Sequence, residues 1–185
     1  MKGVEELEAL VRADRWRMRV LNLLSDLNID GAYITGCFAR DAVWDAAHGR
    51  APQPIDPVEV TYVDHVRTQP DIDIQLQIEL SARAPNKAWS VDNAGRSTPD
   101  VHDMTDVLRR MSDTTRAVAV RVVQTGKPGG IFEVLAPFGL DDVFGMVLRP
   151  TPGRSLADLE AEAETERWLR RFPRLKFAEP SAARD

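Results

Sequence analysis

The stretch from Asp30 to Asp64 constrains the fold more than any other part of this chain. It begins with a short β-prone run, Ala32 to Ile34, and continues with Gly36, which lets the backbone turn tightly. Arg40 to Ala47 has the composition of a helix, and the His-Gly pair that follows is typical of a helix C-terminus. A proline-rich loop then leads into a returning strand, Pro57 to Asp64. The stretch therefore predicts a strand, a glycine turn, a helix, a loop and a second strand.

Side chains alternate along a strand, so the returning strand has two chemically different faces. Glu59 and Thr61 are predicted to share one face, and Val58, Val60 and Tyr62 the other. Glu59 is thereby the acidic side chain that this strand presents beside the glycine turn.

This arrangement resembles the opening unit of the polymerase-β type nucleotidyltransferases, and most closely their short bacterial nucleotidyltransferase-like branch. The resemblance covers roughly residues 30–175. It is carried by the order and spacing of Gly36, Arg40, Trp44, Asp45, His48 and Gly49, by Trp89, Val91, Asn93 and Arg96, and by the run Ala136-Pro-Phe-Gly-Leu-Asp-Asp-Val-Phe144.

The fold that this resemblance implies is α+β, a minimal nucleotidyltransferase fold in which a small mixed sheet has helices packed mainly on one face. Apolar spacing predicts helices over residues 4–12 and 15–27, and a charged helix from Ser155 to about Arg171. A hairpin is predicted from the β-rich runs 117–123 and 131–135.

The segment after Thr68 fits two structures. It contains a literal Asp-x-Asp, Asp71-Ile-Asp73, followed by alternating apolar residues as in a strand. Thr68 followed by Pro70 and an acidic first turn is, however, a good helix start. The resemblance places a helix at this point, and we expect one.

The resemblance implies a nucleotide site at the glycine turn. In the superfamily such a turn and the following helix N-terminus hold the nucleotide phosphates, and backbone N–H groups at a helix N-terminus suit that task. Arg40 either reaches a phosphate or is a structural arginine paired with Asp45 or Asp142. The predicted substrate-binding residues are Thr35, Gly36, Cys37, Arg40, Asn93 and Arg96.

The resemblance also implies an Asp-x-Asp strand that binds two divalent metals, with a third carboxylate on a neighbouring strand. Two Mg²⁺ ions would clamp the attacking and leaving oxygens of nucleotidyl transfer. In this chain the two Asp positions are Pro57 and Glu59. The remaining metal ligands are therefore predicted to be Glu59 and Asp56. The predicted catalytic acids are Glu59 and Asp92. We expect the Mg²⁺ or Mn²⁺ to be weakly held or absent.

Composition limits the classes of function. The chain has 185 residues and is 43% hydrophobic, which is enough for one core. We therefore expect one domain over residues 1–178 and a loose tail at 179–185. A net charge of −5 gives no strong nucleic-acid signal. A single cysteine and an acidic N-terminus without a signal peptide suit a cytoplasmic protein, and no apolar run is long enough to span a bilayer. The modest hydrophobic stripes of the helices suit a monomer or weak homodimer.

Two functions follow from these observations. One is a nucleotidyltransferase that binds a nucleoside triphosphate and transfers a nucleotidyl group to an acceptor that the sequence does not identify. The other is a catalytically inactive nucleotide-binding or protein-interaction module on the same fold. The altered metal strand favours the second, and the retained glycine turn favours a ligand site in either case.

Overall fold

A computed structural model describes residues 2–85, 87–98, 100–126 and 128–180. Its strands are β1 (Tyr33–Ile34), β2 (Val58–Tyr62), β3 (Trp89–Asn93), β4 (Ala119–Val123), β5 (Ile131–Leu135), β6 (Val147–Leu148) and β7 (Lys176–Phe177). The first five form one sheet in the order β3-β2-β1-β4-β5. Only β2 and β3 run parallel in it, and the other neighbours are antiparallel. Strands β6 and β7 form a separate parallel pair.

Some of the helices begin at a side chain that caps their first N–H groups. Asp14 accepts hydrogen bonds from the N–H groups of Trp16 and Arg17, and Ser155 accepts one from Asp158. The helices are α1 (Lys2–Ala13), α2 (Arg15–Leu27), α3 (Phe38–Ala47), α4 (Pro70–Arg83), α5 (Ala94–Ser97), α6 (Met104–Arg109), α7 (Asp141–Gly145), α8 (Leu156–Thr165) and α9 (Trp168–Arg171).

The two faces of the five-stranded sheet are covered unequally. Ile34, Val60 and Val120 belong to the larger core cluster, which also contains the buried sides of α1, α2, α3 and α4. On the opposite face Tyr33 and Ala119 form a small cluster with α6. The predicted fold class is therefore confirmed: a mixed sheet with helices mainly on one face. Among the described residues, no helix is both long and apolar enough to cross a membrane.

Segment 70–83 is a helix, α4, so the alternative strand is wrong at the literal Asp-x-Asp. The single helix predicted from Ser155 to Arg171 is also wrong. Arg167 has a left-handed φ of +57° and separates α8 from α9. The break turns Trp168 into the core, where it is 6% exposed, whereas the charged residues before it leave a continuing helix little apolar surface to bury.

The single domain ending at residue 178 stays a prediction. Residues 181–185 of the predicted tail lie outside the described residues.

Candidate functional site

The glycine turn is held between the ends of two strands. The Thr35 N–H donates to the Glu59 carbonyl at 3.0 Å, and the hydroxyls of Thr35 and Thr61 lie 2.9 Å apart. Gly36 follows with φ +68°, a backbone conformation that residues other than glycine rarely adopt. Cys37 then precedes the first turn of α3, and its side chain makes no capping hydrogen bond. The turn therefore depends on strand pairing and on glycine.

The Glu59 carboxylate lies directly against Gly36. A Cβ atom built at position 36 would be 2.6 Å from Glu59 Cδ and 2.6 and 2.7 Å from its two carboxylate oxygens. The Glu59 side chain is 33% exposed, so it is reachable from solvent. The glycine turn and the strand acid that the sequence placed in one site are thus in contact.

Arg116 is the member of this cluster that sequence reasoning missed. Its Nη2 is 3.7 Å from Glu59 Oε1, and its Nη1 donates to Glu162 Oε1 of α8 at 2.6 Å. Asp113 fixes the preceding loop, because its Oδ1 accepts hydrogen bonds from the N–H groups of Thr115 and Arg116. An Asp followed by turn residues was visible in the sequence, but no local pattern connects Arg116 with Glu59.

Arg40 lies beneath the turn, inside the protein. Its Nη2 donates to Cys37 Sγ and its Nε to Asp41, each at 3.0 Å. Its guanidinium carbon is 4.4 Å from the ring centroids of both Trp44 and Trp168. The pairings with Asp45 or Asp142 that we considered are therefore wrong. Arg40 is 1% exposed, and its Nη1 has no hydrogen-bond partner within the described part of the chain. Phosphate binding by Arg40 stays a prediction.

Cys37 is a half-buried thiol at the same turn. Burial raises the pKa of the Cys37 thiol above its ordinary value, and the nearby Arg40 guanidinium only partly opposes that effect. The thiol is therefore protonated at neutral pH. The predicted substrate contact of Cys37 is made by its backbone N–H and does not depend on the protonation of the thiol.

The other two predicted acids lie apart from the turn. Asp56 stands at the entrance to β2, and its Oδ1 accepts a hydrogen bond from the Ala88 N–H at 3.2 Å. Asp92 pairs in register with Thr61, so it shares the sheet face of Glu59. Its side chain is 48% exposed and lies 3.4 Å from Arg96 Nη2. Roles of Asp56 in metal binding and of Asp92 in catalysis stay predictions.

Asn93 and Arg96 belong to a buried network at the far end of β2 and β3. Asp73 accepts hydrogen bonds from Tyr62 Oη at 2.5 Å, from the Asn93 N–H at 3.2 Å and from Arg96 Nη2 at 2.7 Å. Burial and the Asp73 carboxylate raise the pKa of Tyr62. The Asn93 amide donates to the carbonyls of Asp64 and Arg67. These contacts tie strands to loops; substrate contact by Asn93 or Arg96 stays a prediction.

A divalent metal does not fit Glu59 as the side chains are arranged. The structure described for residues 2–85, 87–98, 100–126 and 128–180 contains no group of three or more His, Cys, Asp or Glu side chains that could hold an ion. Pro57 offers no donor, Asp56 is turned to a backbone N–H, and a guanidinium faces the Glu59 carboxylate. Mg²⁺ prefers several oxygen ligands in a near-octahedral array, which this set does not supply.

A surface cavity of about 290 Å³ lies elsewhere, between the end of α2 and β4. Leu21, Leu24 and Val122 contribute to its lining, and none of the turn residues does. The cavity is therefore separate from the cluster formed by Gly36, Glu59 and Arg116.

Comparisons with known proteins agree with this architecture. The profile of the Nucleotidyltransferase family matches residues 22–177, and no curated protein matches the chain. An NMR structure that reveals a CCA-adding enzyme head domain has a TM-score of 0.77 at 19% identity, with 95% of each chain covered. The complex of a CCA-adding enzyme with CTP has a TM-score of 0.60 at 17% identity. That match covers 94% of this chain and 43% of the enzyme, so the chain spans less than half of the enzyme's length.

Proposed function

This chain belongs to the Nucleotidyltransferase family, and on that premise we propose that it binds a nucleoside triphosphate at the turn formed by Thr35, Gly36 and Cys37. The proposal is supported by the family and by the fold shared with a CCA-adding enzyme that was solved with CTP. The base that is bound and the acceptor are left open.

One observation carries the proposal: an anion already lies against the turn. The carboxylate oxygens of Glu59 are 2.6 and 2.7 Å from the position that a Gly36 Cβ would occupy. Backbone N–H groups at the start of a helix favour negative charge, and α3, ten residues long, begins two residues after Gly36. A phosphate has the same charge sign and a similar oxygen spacing, so the turn suits it as well.

Nucleotidyl transfer itself is the less supported half of the function. Without the first acid of the metal strand, the side chains around Glu59 lack the ligands that an in-line displacement with two metals needs. The guanidinium of Arg116 faces Glu59. This favours a family member that binds a nucleotide but transfers it slowly or not at all. Transfer to an acceptor hydroxyl remains the first hypothesis to test once binding is established.

The single cysteine gives a direct test of where a nucleotide binds. Alkylation of Cys37 should slow in the presence of a saturating nucleoside triphosphate, because the ligand would cover the turn. The matched control is the same nucleoside without phosphates, which should leave the rate unchanged. Nucleotide binding that leaves Cys37 equally reactive would place the site elsewhere and contradict the proposal.

A gain-of-function variant tests the metal strand. Pro57→Asp combined with Glu59→Asp should create measurable Mg²⁺ binding, because both acids would then lie on one face of β2. The Glu59→Asp single variant is the control, since it restores only one of the two acids. Failure of the double variant to bind Mg²⁺ would contradict the assignment of β2 as the former metal strand.

A further inference from the structure

The positively charged group that faces Glu59 in this protein is the guanidinium of Arg116. Nη2 of Arg116 lies 3.7 Å from Glu59 Oε1, which is an ionic contact but too long for a hydrogen bond. Nη1 is held firmly by Glu162 at 2.6 Å. Glu162 thus positions the guanidinium from α8, while Glu59 holds it only loosely.

One edge of the Arg116 guanidinium has unused hydrogen-bonding capacity. Its Nε is buried and has no hydrogen-bond partner among the residues that the structure describes. Nε and Nη2 together form one of the two-donor edges by which arginine binds a phosphate. Among the residues that the structure describes, that edge has one contact, the long one to Glu59.

A second guanidinium, the buried one of Arg40, lies at the turn and is paired with Asp41. Arg40 is 1% exposed, donates to Cys37 Sγ and has a nitrogen, Nη1, without a partner among the described residues. Arg40 therefore contacts Cys37 of the turn, and Arg116 contacts Glu59, which lies against Gly36. Both are fixed by other contacts, so neither needs to be ordered when an anion arrives.

We propose that Arg116 takes the place of the divalent metal in this chain, so that the triphosphate binds without Mg²⁺ and displaces the Glu59 carboxylate from Arg116. Glu59 is then a competing anion that occupies the phosphate position, not a metal ligand. This inference rests on the proposed triphosphate site, and it assigns to that site a charge partner that the family resemblance does not supply.

The two roles of Glu59 predict opposite effects of one substitution. Glu59→Gln keeps the shape of the side chain but removes the competing charge, so tripolyphosphate and nucleoside triphosphate should bind about 5 to 10 times more tightly in EDTA. If Glu59 were a metal ligand, the same change would weaken binding and abolish its dependence on Mg²⁺. Calorimetric titration in EDTA and in Mg²⁺ measures both.

Two more variants test Arg116 itself. Arg116→Met should weaken metal-free binding at least tenfold, whereas Arg116→Lys, which retains the charge, should weaken it less and guards against a folding defect. Glu133→Gln is the matched control, because Glu133 pairs with Arg121 on the same sheet face and should leave the affinity unchanged. Thermal unfolding of each variant verifies that it is folded.

The outcomes separate this inference from the proposed function. Triphosphate binding only with Mg²⁺, binding unaffected by Arg116→Met, or weaker binding by Glu59→Gln would each overturn the role of Arg116 while leaving a nucleotide site. No binding by the unmodified chain, either with or without Mg²⁺, would overturn the nucleotide site and the inference together.

Discussion

Two glutamate–arginine pairs lie on the same face of the sheet and differ in how tightly they are closed. In the first, Arg121 Nε contacts Glu133 Oε2 at 2.5 Å, and the Arg121 guanidinium lies 4.5 Å from the Tyr33 ring centroid. In the second, Arg116 is 3.7 Å from Glu59. The first pair joins neighbouring strands β4 and β5 directly.

The difference has an identifiable cause. Arg116 has a second carboxylate partner, Glu162 at 2.6 Å, whereas Arg121 shares its glutamate, within the described part of the chain, with the Tyr33 hydroxyl alone, at 3.4 Å. Competition leaves the Glu59 carboxylate loosely held, a third exposed and pressed against a glycine. A strand carboxylate of this kind is available for exchange with a ligand, and the closed pair is not.

The largest expected effect is on stability at the glycine turn. Gly36→Ala should lower the free energy of unfolding by about 1–2 kcal/mol, because a left-handed φ costs an alanine about that much; the methyl group also displaces the Glu59 carboxylate, but this is the end of a flexible, loosely held side chain and its displacement adds little. Chemical denaturation measures the loss.

Gly49→Ala is the control for that change. Gly49 has φ +63° and nothing within 4 Å of an added Cβ, so only the conformational part, about 1–2 kcal/mol, should appear. A loss at position 36 well above the loss at position 49 would show that the Glu59 carboxylate cannot move aside, and would contradict its loose contact with Arg116.

A smaller effect separates the two ion pairs directly. Double-mutant cycles should give a coupling energy of about 0.5–1 kcal/mol for Arg121 with Glu133, and about 0.2 kcal/mol for Arg116 with Glu59. The tighter geometry of the first pair is the reason. Equal coupling energies would show that the two pairs are held alike, against the comparison drawn above.

The smallest effects concern titration, since each pair has a reporter beside it. Burial raises the pKa of Tyr33, next to Arg121 and Glu133, and the pKa of Cys37, at the turn beside Glu59, above their ordinary values. Both groups favour the folded state while protonated. That stabilisation is complete below the ordinary pKa values and is lost as the pH rises through the folded ones.

Removing the glutamates should distinguish the reporters. Glu133→Gln should lower the pKa of Tyr33, because the carboxylate raises it and accepts the Tyr33 hydrogen bond. Glu59→Gln should lower the pKa of Cys37 less, because Glu59 is the weakest of its causes. Phenolate absorbance and the pH dependence of Cys37 alkylation measure the two shifts. A larger shift at Cys37 than at Tyr33 would contradict the minor influence of Glu59 on the thiol.

Local patterns predicted the elements of this fold well and its side-chain contacts less well. Alternation along β2 placed Glu59 and Thr61 on the polar face, and Gly36 predicted the turn, because both depend on neighbours in sequence. Arg116 could not be found in this way, since only the packing of α8 and the loop at Asp113 brings it to Glu59.

The same limit explains the errors. The sequence placed Arg40 at the start of a helix, but its aromatic neighbours depended on where Trp168 packs after the break at Arg167. Asp73 was interpreted as an acid in the first turn of a helix, which is correct, yet its role as the shared acceptor of Tyr62 and Arg96 needed the tertiary structure.

Calorimetric titration of the unmodified protein with nucleoside triphosphates, in Mg²⁺, in Mn²⁺ and in EDTA, tests the central claim most directly. We predict binding in all three conditions, with the affinity in EDTA within about threefold of that in Mg²⁺, because Arg116 supplies the positive charge at the turn. Absence of binding in every condition would contradict the claim that this chain holds a nucleotide at Gly36.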